Sequence, residues 1–167
     1  MSWFLDYEGY HIPQGNLFII KEIAILHSSG DRCYNYFIKG PKNFPIENYA
    51  TYNYQFDRHM LRWEFGDYEF VEAMMDIAQK LRRDNVYIKG NEKYKFISSM
   101  FPSPNFIELE HIPAFKYLNN CMSERCEVKH GNNCARRKVH ELRHVASKDL
   151  SFFVNKFNTK QHPDKSL

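Results

Sequence analysis

Several common sequence features are missing from this chain. It holds no apolar run near the roughly 20 residues that a membrane-spanning helix needs, so we expect no membrane span. Its first ten residues contain two acids and no basic segment, so we expect no secretory signal peptide and a cytoplasmic or nuclear protein. It has no internal repeat. Its formal net charge is only +3, so any basic surface must be local.

Aromatic side chains, by contrast, are abundant. The 14 phenylalanines and 11 tyrosines argue against disorder, because disordered chains are poor in aromatic residues. A length of 167 residues fits one domain with a sizeable core. We therefore predict a single domain over residues 1–157, followed by a polar tail over 158–167.

The hydrophobic pattern predicts an α/β fold. Residues 3–6, 17–26 and 33–38 indicate three leading strands, of which the second is apolar enough to be buried on both faces. Helices are predicted over 67–83, with Asp67 as its cap, over 91–101 and over 133–147; strands are predicted over 85–89 and 105–110. Residues 49–65 read as loop and irregular helix. This order predicts a mixed five-stranded sheet flanked by helices. The apolar face of the first helix is predicted to contain Phe70, Val71, Met74, Ala78 and Leu81.

Three of the four cysteines lie within residues 121–134. The spacing Cys126-x3-His130-x3-Cys134, preceded by Cys121, offers thiolate and imidazole ligands of the kind that hold tetrahedral zinc. The glycine and asparagines before Cys134 permit the tight turns that such a site requires. Buried free thiols beside a surface histidine, or a disulfide in an oxidising compartment, remain alternatives. We predict a structural zinc site here, with Cys121 as one candidate for the fourth ligand.

Four acidic residues are candidate site residues because of their positions in the predicted elements. Asp6 and Glu8 lie two apart at the predicted end of the first strand, so their carboxylates point the same way, as in nucleases that hold magnesium. Glu22 interrupts an apolar run, where a carboxylate is costly unless it is paired with a cation or bound to a metal. Glu92 follows a predicted strand. Turn chemistry for Asp6 and Glu8, a salt bridge for Glu22 and a helix first turn for Glu92 are the plainer interpretations.

A local basic stretch lies near the C-terminal end. Residues 121–148 hold seven Lys or Arg against three acids, which suggests a surface for phosphates or simply a solvated helix face. His140 and His144 share a face of the same predicted helix. An aromatic group could stack nucleobases or cover a core. It comprises Tyr49, Tyr52, Tyr54, Phe56 and Trp63.

These motifs resemble the DEDD-type 3′–5′ exonuclease superfamily, and especially its divergent branch, the Maelstrom domain of piRNA-pathway proteins. The resemblance covers residues 3–147. It rests on Asp6-x-Glu8 in the first strand, on IIKEIA in the second, and on the Arg-His-Met-Leu turn over 58–61. It also rests on the segments NVYIKGNEKYKFI and NCARRKVHEL.

The resemblance implies an RNase H-like fold in which Asp6, Glu8 and Glu92 would occupy magnesium-ligand positions. The last motif departs from the exonuclease pattern, because Asn133 and either Arg137 or Lys138 stand where a histidine and an aspartate are expected. Maelstrom-type domains similarly lack these acids and use a Glu-Cys-His-Cys zinc set. The matching residues here are Glu22, Cys126, His130 and Cys134.

The resemblance therefore implies a catalytically degenerate domain with structural zinc that binds single-stranded nucleic acid, chiefly RNA, in silencing or processing. The expected contacts are Arg136, Arg137, Lys138 and Arg143. One alternative is an active nuclease with magnesium and with His140 or His144 as general base. Another is a protein-interaction adaptor on the same scaffold.

Overall fold

The structure, a computed structural model, describes residues 1–13, 15–44, 52–110 and 134–148. Within these ranges the strands are β1 (Ser2–Ile12), β2 (Leu17–His27), β3 (Cys33–Phe37), β4 (Asn85–Ile88) and β5 (Asn105–Glu108). The helices are α1 (Tyr52–His59), α2 (Phe70–Leu81), α3 (Asn91–Met100) and α4 (Ala135–Lys148). No helix in this part of the chain combines the length and apolarity needed to span a membrane.

The five strands form one open mixed sheet in the order β3-β2-β1-β4-β5. β2 pairs antiparallel with both β1 and β3, whereas β4 runs parallel to β1, and β5 parallel to β4. Parallel neighbours need a crossover, and the helical segments between β3, β4 and β5 supply it. The prediction of an α/β fold with a mixed five-stranded sheet is confirmed.

Helices cover both faces of the sheet. On one face, Ala73, Ile77 and Leu81 of α2 and Ile97 of α3 contact the apolar side chains of β1, β2 and β4. On the other face, α4 packs on the sheet through four residues at helical spacing. They are Ala135, Val139, Leu142 and Ala146. Burial on both faces explains why β2 is nearly all apolar.

β1 is longer than its sequence suggests. Asp6 was expected near the end of the strand, but pairing with β2 continues as far as Ile12, opposite Leu17. A bulge between Glu8 and Gly9 bends the strand on the way. A side chain at Gly9 would place its Cβ 2.0 Å from the Ile19 carbonyl oxygen, so glycine permits this close approach.

The segment before α2 also differs from expectation. Asp67 does not cap the helix, which begins at Phe70 after Glu69, and neither acid provides a side-chain cap. Instead the backbone N–H groups of Asp67 and Tyr68 donate to the Phe37 carbonyl at 2.9 and 3.1 Å. Phe70, Val71 and Ala78 are exposed, so the predicted apolar face was partly wrong. The buried residues are Ala73, Met74, Ile77 and Leu81.

Candidate functional site

The carboxylate pair, Asp6 and Glu8, lies in the middle of β1 on the face covered by α4. Strand alternation places both side chains on the same side of the sheet as Phe4, which contacts the α4 core. Asp6 is buried, and among the described residues its Oδ2 atom has no hydrogen-bond partner. The prediction that the two acids share a face is confirmed.

Lys93, in the first turns of α3, reaches into this pair. Its Nζ atom lies 2.7 Å from Asp6 Oδ1 and 3.6 Å from Glu8 Oε1, and it donates to the Tyr7 carbonyl at 2.8 Å. One ammonium thus contacts three oxygen atoms of β1. Removing this ammonium would leave a buried carboxylate without its nearest cation.

A second ammonium comes from a different helix. Lys138, in the first half of α4, donates to Glu8 Oε1 at 2.8 Å. Two lysines from two different helices therefore balance two carboxylates of one strand. The cluster as a whole carries no net charge when all four groups are ionised.

The two acids of the pair respond differently to these surroundings. Burial raises the pKa of Asp6, although both lysines oppose this effect. Burial also acts to raise the pKa of Glu8, but the nearby ammoniums of Lys93 and Lys138 together outweigh it and lower that pKa. The pKa of Lys93 is raised because the two carboxylates outweigh the effect of its own burial. Glu8 and Lys93 are thus held as ions.

Clefts open on both sides of the two lysines. The first, of about 440 Å³, is named the α1 cleft and is lined by β1, α1, Lys93 and Lys138. The second, of about 180 Å³, extends from Asp6 past Lys89 and Gly90 to Glu141. Because both contain Lys93 and Lys138, solvent reaches the charged cluster from two directions.

The other residues proposed for magnesium chemistry do not join this cluster. Glu92 is exposed in the first turn of α3, and neither cleft lining includes it. His140 and His144 of α4 are also absent from both linings. Two ammoniums stand where a divalent ion would need the oxygen atoms of Asp6 and Glu8. The residues present therefore do not fit a magnesium site.

Glu22 is the partner of Glu8 across the β1–β2 ladder, and it is fully buried. Its Oε1 atom accepts a 2.8 Å hydrogen bond from the backbone N–H of Ala135, the first residue of α4. Cys134 Sγ lies 3.9 Å from Glu22 Oε2 as a weak S–H donor. The structure thus brings together Glu22 and Cys134, two residues of the predicted zinc set that are 112 positions apart.

The remaining predicted zinc ligands, Cys121, Cys126 and His130, lie outside the described residues, as does Asn133. Within the described ranges, no group of three or more His, Cys, Asp or Glu residues is arranged to hold a metal ion. Glu22 and Cys134 supply one oxygen and one sulfur donor at the start of α4. This donor pair is chemically compatible with zinc.

No protein-family model, curated protein or solved structure matches this chain.

The basic residues of α4 do not form a freely exposed row. Lys138 binds Glu8, and Arg143 donates from Nε and Nη2 to the carbonyls of Ser28 and Ser29 at 3.1 and 3.0 Å. Arg136 and Arg137 are half-buried near the start of the helix. A nucleic-acid role for the four residues remains a prediction, and Arg143 already has a structural role in holding the β2–β3 turn.

The residue that sequence reasoning missed is Lys93. It lies in a short KGNEK segment, where a lysine in a helix first turn gives no sign of a distant partner. The only signal in the sequence was that α3 directly follows β4. Because β4 pairs in parallel with β1, a residue at the start of α3 lies near β1.

Proposed function

We propose that this protein is a single-stranded nucleic-acid-binding domain, with RNA as its main ligand, built on an RNase H-like fold whose nuclease centre is degenerate. The observation that carries the proposal is the lysine-filled carboxylate pair at the middle of the sheet. The strand order, with three antiparallel strands followed by two parallel ones, supports the RNase H-like interpretation.

Degeneracy follows from charge and geometry. Nucleases with metal ions use carboxylates to bind those ions, and the ions stabilise the charge that develops on the phosphate. Here Lys93 and Lys138 already neutralise Asp6 and Glu8 at 2.7 and 2.8 Å. A divalent ion in the same place would face two ammoniums, and like charges at such short range repel strongly. The cluster is therefore suited to stabilising the fold.

Zinc would serve as a structural element beside this cluster. Glu22 and Cys134, together with Cys126 and His130, would hold the ion and tie β2 to the start of α4. A closed tetrahedral site of this kind stabilises a fold and leaves no position for a reacting water. The rival set replaces Glu22 with Cys121.

Metal analysis of the purified protein tests the zinc component. If Glu22 is a ligand, Glu22→Ala lowers bound zinc and Cys121→Ala leaves it unchanged. The reverse result supports the rival set. Zinc content unaffected by either substitution, or absent from the wild-type protein, contradicts both.

Binding measurements test the main proposal. We expect fluorescence anisotropy to show binding of single-stranded RNA and DNA that weakens as salt is raised, because phosphate contacts release counterions. We expect no cleavage in Mg²⁺ or Mn²⁺. Cleavage that disappears in Asp6→Ala would instead establish an active nuclease. Absence of binding to either nucleic acid contradicts the proposal and leaves the adaptor alternative.

Removal of the lysines tests the degenerate centre directly. In Lys93→Ala combined with Lys138→Ala, the carboxylate pair loses its internal cations, so we expect Mn²⁺ binding detectable by electron paramagnetic resonance. Lys95→Ala, an exposed position on the same helix, is the matched control. Equal Mn²⁺ binding by the wild-type protein, or none by the double variant, shows that the lysines do not replace a metal.

A further inference from the structure

Helix α1 is firmly attached to the far end of β1. Gln55 and the backbone of His11 exchange two hydrogen bonds, of 2.6 and 2.8 Å. The Tyr52 ring stacks on Tyr10 with centroids 5.3 Å apart and planes 3° apart. His59 accepts from the Leu61 N–H through Nδ1, so its Nε2 carries the proton and donates to the Gly9 carbonyl at 3.1 Å.

One aromatic ring on this attached helix points away from the core. Tyr54 is 65% exposed, whereas Trp63, another member of the same aromatic group, is 6% exposed. Tyr54 lines the α1 cleft beside Arg58, which is one helical turn later. The Arg58 guanidinium lies 5.7 Å from the Tyr54 ring centroid, and its Nη1 donates to the Tyr54 hydroxyl at 3.3 Å.

The α1 cleft also has a positive balance. Lys93 and Lys138 offset Asp6 and Glu8, so the guanidinium of Arg58 adds one further positive charge at the rim. A volume of about 440 Å³ falls within the range of small-ligand sites and is ample for one nucleotide unit. An exposed ring beside cations is the combination by which proteins hold unpaired bases and their phosphates.

We propose that Tyr54 and Arg58 form a nucleotide-binding position on α1, in which the Tyr54 ring stacks on an unpaired base and Arg58 contacts an adjacent phosphate. This inference rests on the proposed function and names where one nucleotide of the strand is held. The anchoring of α1 to β1 supports it, because a helix fixed in advance loses little freedom when the ligand binds.

The stacking test uses short single-stranded oligonucleotides that contain 2-aminopurine, whose fluorescence falls when the base stacks. We expect Tyr54→Ala to weaken binding about tenfold and to abolish part of the quenching, and Tyr54→Phe to retain both. Phe70→Ala removes an exposed aromatic ring outside the α1 cleft and is the matched control. Because Tyr54 is exposed, circular dichroism should show both alanine variants to be folded.

The phosphate contact is tested by salt dependence. Arg58→Gln should reduce the slope of log affinity against log salt by about one phosphate contact, whereas the exposed control Arg83→Gln should leave it unchanged. Oligonucleotides of RNA and of DNA are compared in parallel, and a strand with abasic sites should bind wild type and Tyr54→Ala equally.

The outcomes separate the two proposals. If the wild-type protein binds no nucleic acid, the proposed function and this inference both fail. If it binds, but Tyr54→Ala and Arg58→Gln behave as their controls do, only the α1 position is rejected.

Discussion

Two neighbouring carboxylates on one surface of the sheet obtain different partners. Glu8 on β1 and Glu22 on β2 are direct partners across the ladder, yet Glu8 contacts the ammoniums of two lysines. Glu22 instead accepts the N–H of Ala135 and lies beside the thiol of Cys134.

The difference shows how position in the sheet determines the chemistry of an acid. The carboxylate pair opens to clefts, so long lysine side chains can reach it while remaining partly solvated. Glu22 is enclosed beneath the start of α4, where a backbone N–H and a thiol are close enough to contact it. In the first environment lysine ammoniums balance the carboxylates, and in the second a backbone N–H and a thiol contact the acid.

The largest effect is expected at Glu22. Glu22→Ala leaves the Ala135 N–H without this acceptor and opens a cavity, so it should lower the free energy of unfolding by about 3 kcal/mol in urea titrations. Glu22→Gln keeps an acceptor and should cost roughly half as much. Equal losses in the two variants would show that the negative charge, and therefore an ion-binding role, matters more than the hydrogen bond.

A smaller loss is expected when the bridging ammonium is removed. Lys93→Met leaves two carboxylates with one cation and should lower the free energy of unfolding by about 2 kcal/mol. The loss is smaller than for a fully enclosed ion pair, because the Lys93 side chain is 27% exposed. Adding Asp6→Asn should recover about 1 kcal/mol in a double-mutant cycle. Strict additivity of the two substitutions would contradict a direct interaction.

Lys138 should matter less than Lys93. Its side chain is 36% exposed, so solvent screens its attraction to Glu8, and Lys138→Met should cost about 1 kcal/mol. Raising the salt concentration should make the loss of unfolding free energy in Lys138→Met smaller still. A loss larger than that of Lys93→Met would reverse the order of the two lysines.

The smallest effects are expected in the dependence of stability on pH. The pKa of Glu8 is lowered from its ordinary value of 4.5, so its contribution is present above pH 4.5 and is lost as pH falls through the lower, folded value. The pKa of Asp6 is raised from 3.8, so Asp6 favours the folded state as pH falls and partly offsets this loss. Thermal melts from neutral to acidic pH should therefore show a shallower decline in Glu8→Gln than in Asp6→Asn. The opposite order would contradict the assigned shifts.

Lys93 acts at the alkaline end. Its pKa is raised from 10.5, so its contribution is complete below pH 10.5 and is lost as pH rises through the folded value. Wild-type protein should lose more stability than Lys93→Met over that alkaline range. Parallel alkaline denaturation curves would show that Lys93 is not held as an ion.

Much of the fold could be predicted from local pattern. The apolar run of β2, the turn after it and the strands before and after α3 produced the correct order of elements, because burial and turn chemistry act over short distances. The length of β1 could not be predicted, since a bulge between Glu8 and Gly9 interrupts the alternation of the strand before it reaches Ile12. Helix α1 lies within residues 49–65, for which the sequence predicts loop and irregular helix, so the sequence predicts this helix only in part.

The candidate site was predictable only in part. The shared face of Asp6 and Glu8 follows from strand alternation, and their spacing alone was enough to expect it. The proximity of Glu22 and Cys134 was expected only from the family resemblance. In the structure, Cys134 Sγ lies 3.9 Å from Glu22 Oε2. The cations at the carboxylate pair were not foreseen, because Lys93 and Lys138 come from distant helices whose relative placement depends on the whole core.

By itself, the sequence determined that this chain adopts an α/β fold. It also determined that β1 carries two acidic side chains on one face and that β2 carries one buried acid. These features depend on side-chain alternation and apolar content, which are local properties. Only the tertiary structure decided which partner each acid obtains. The physical reason is that partners arrive on helices fixed by packing far from the acids themselves, so Asp6 and Glu8 obtain lysines while Glu22 obtains the start of α4.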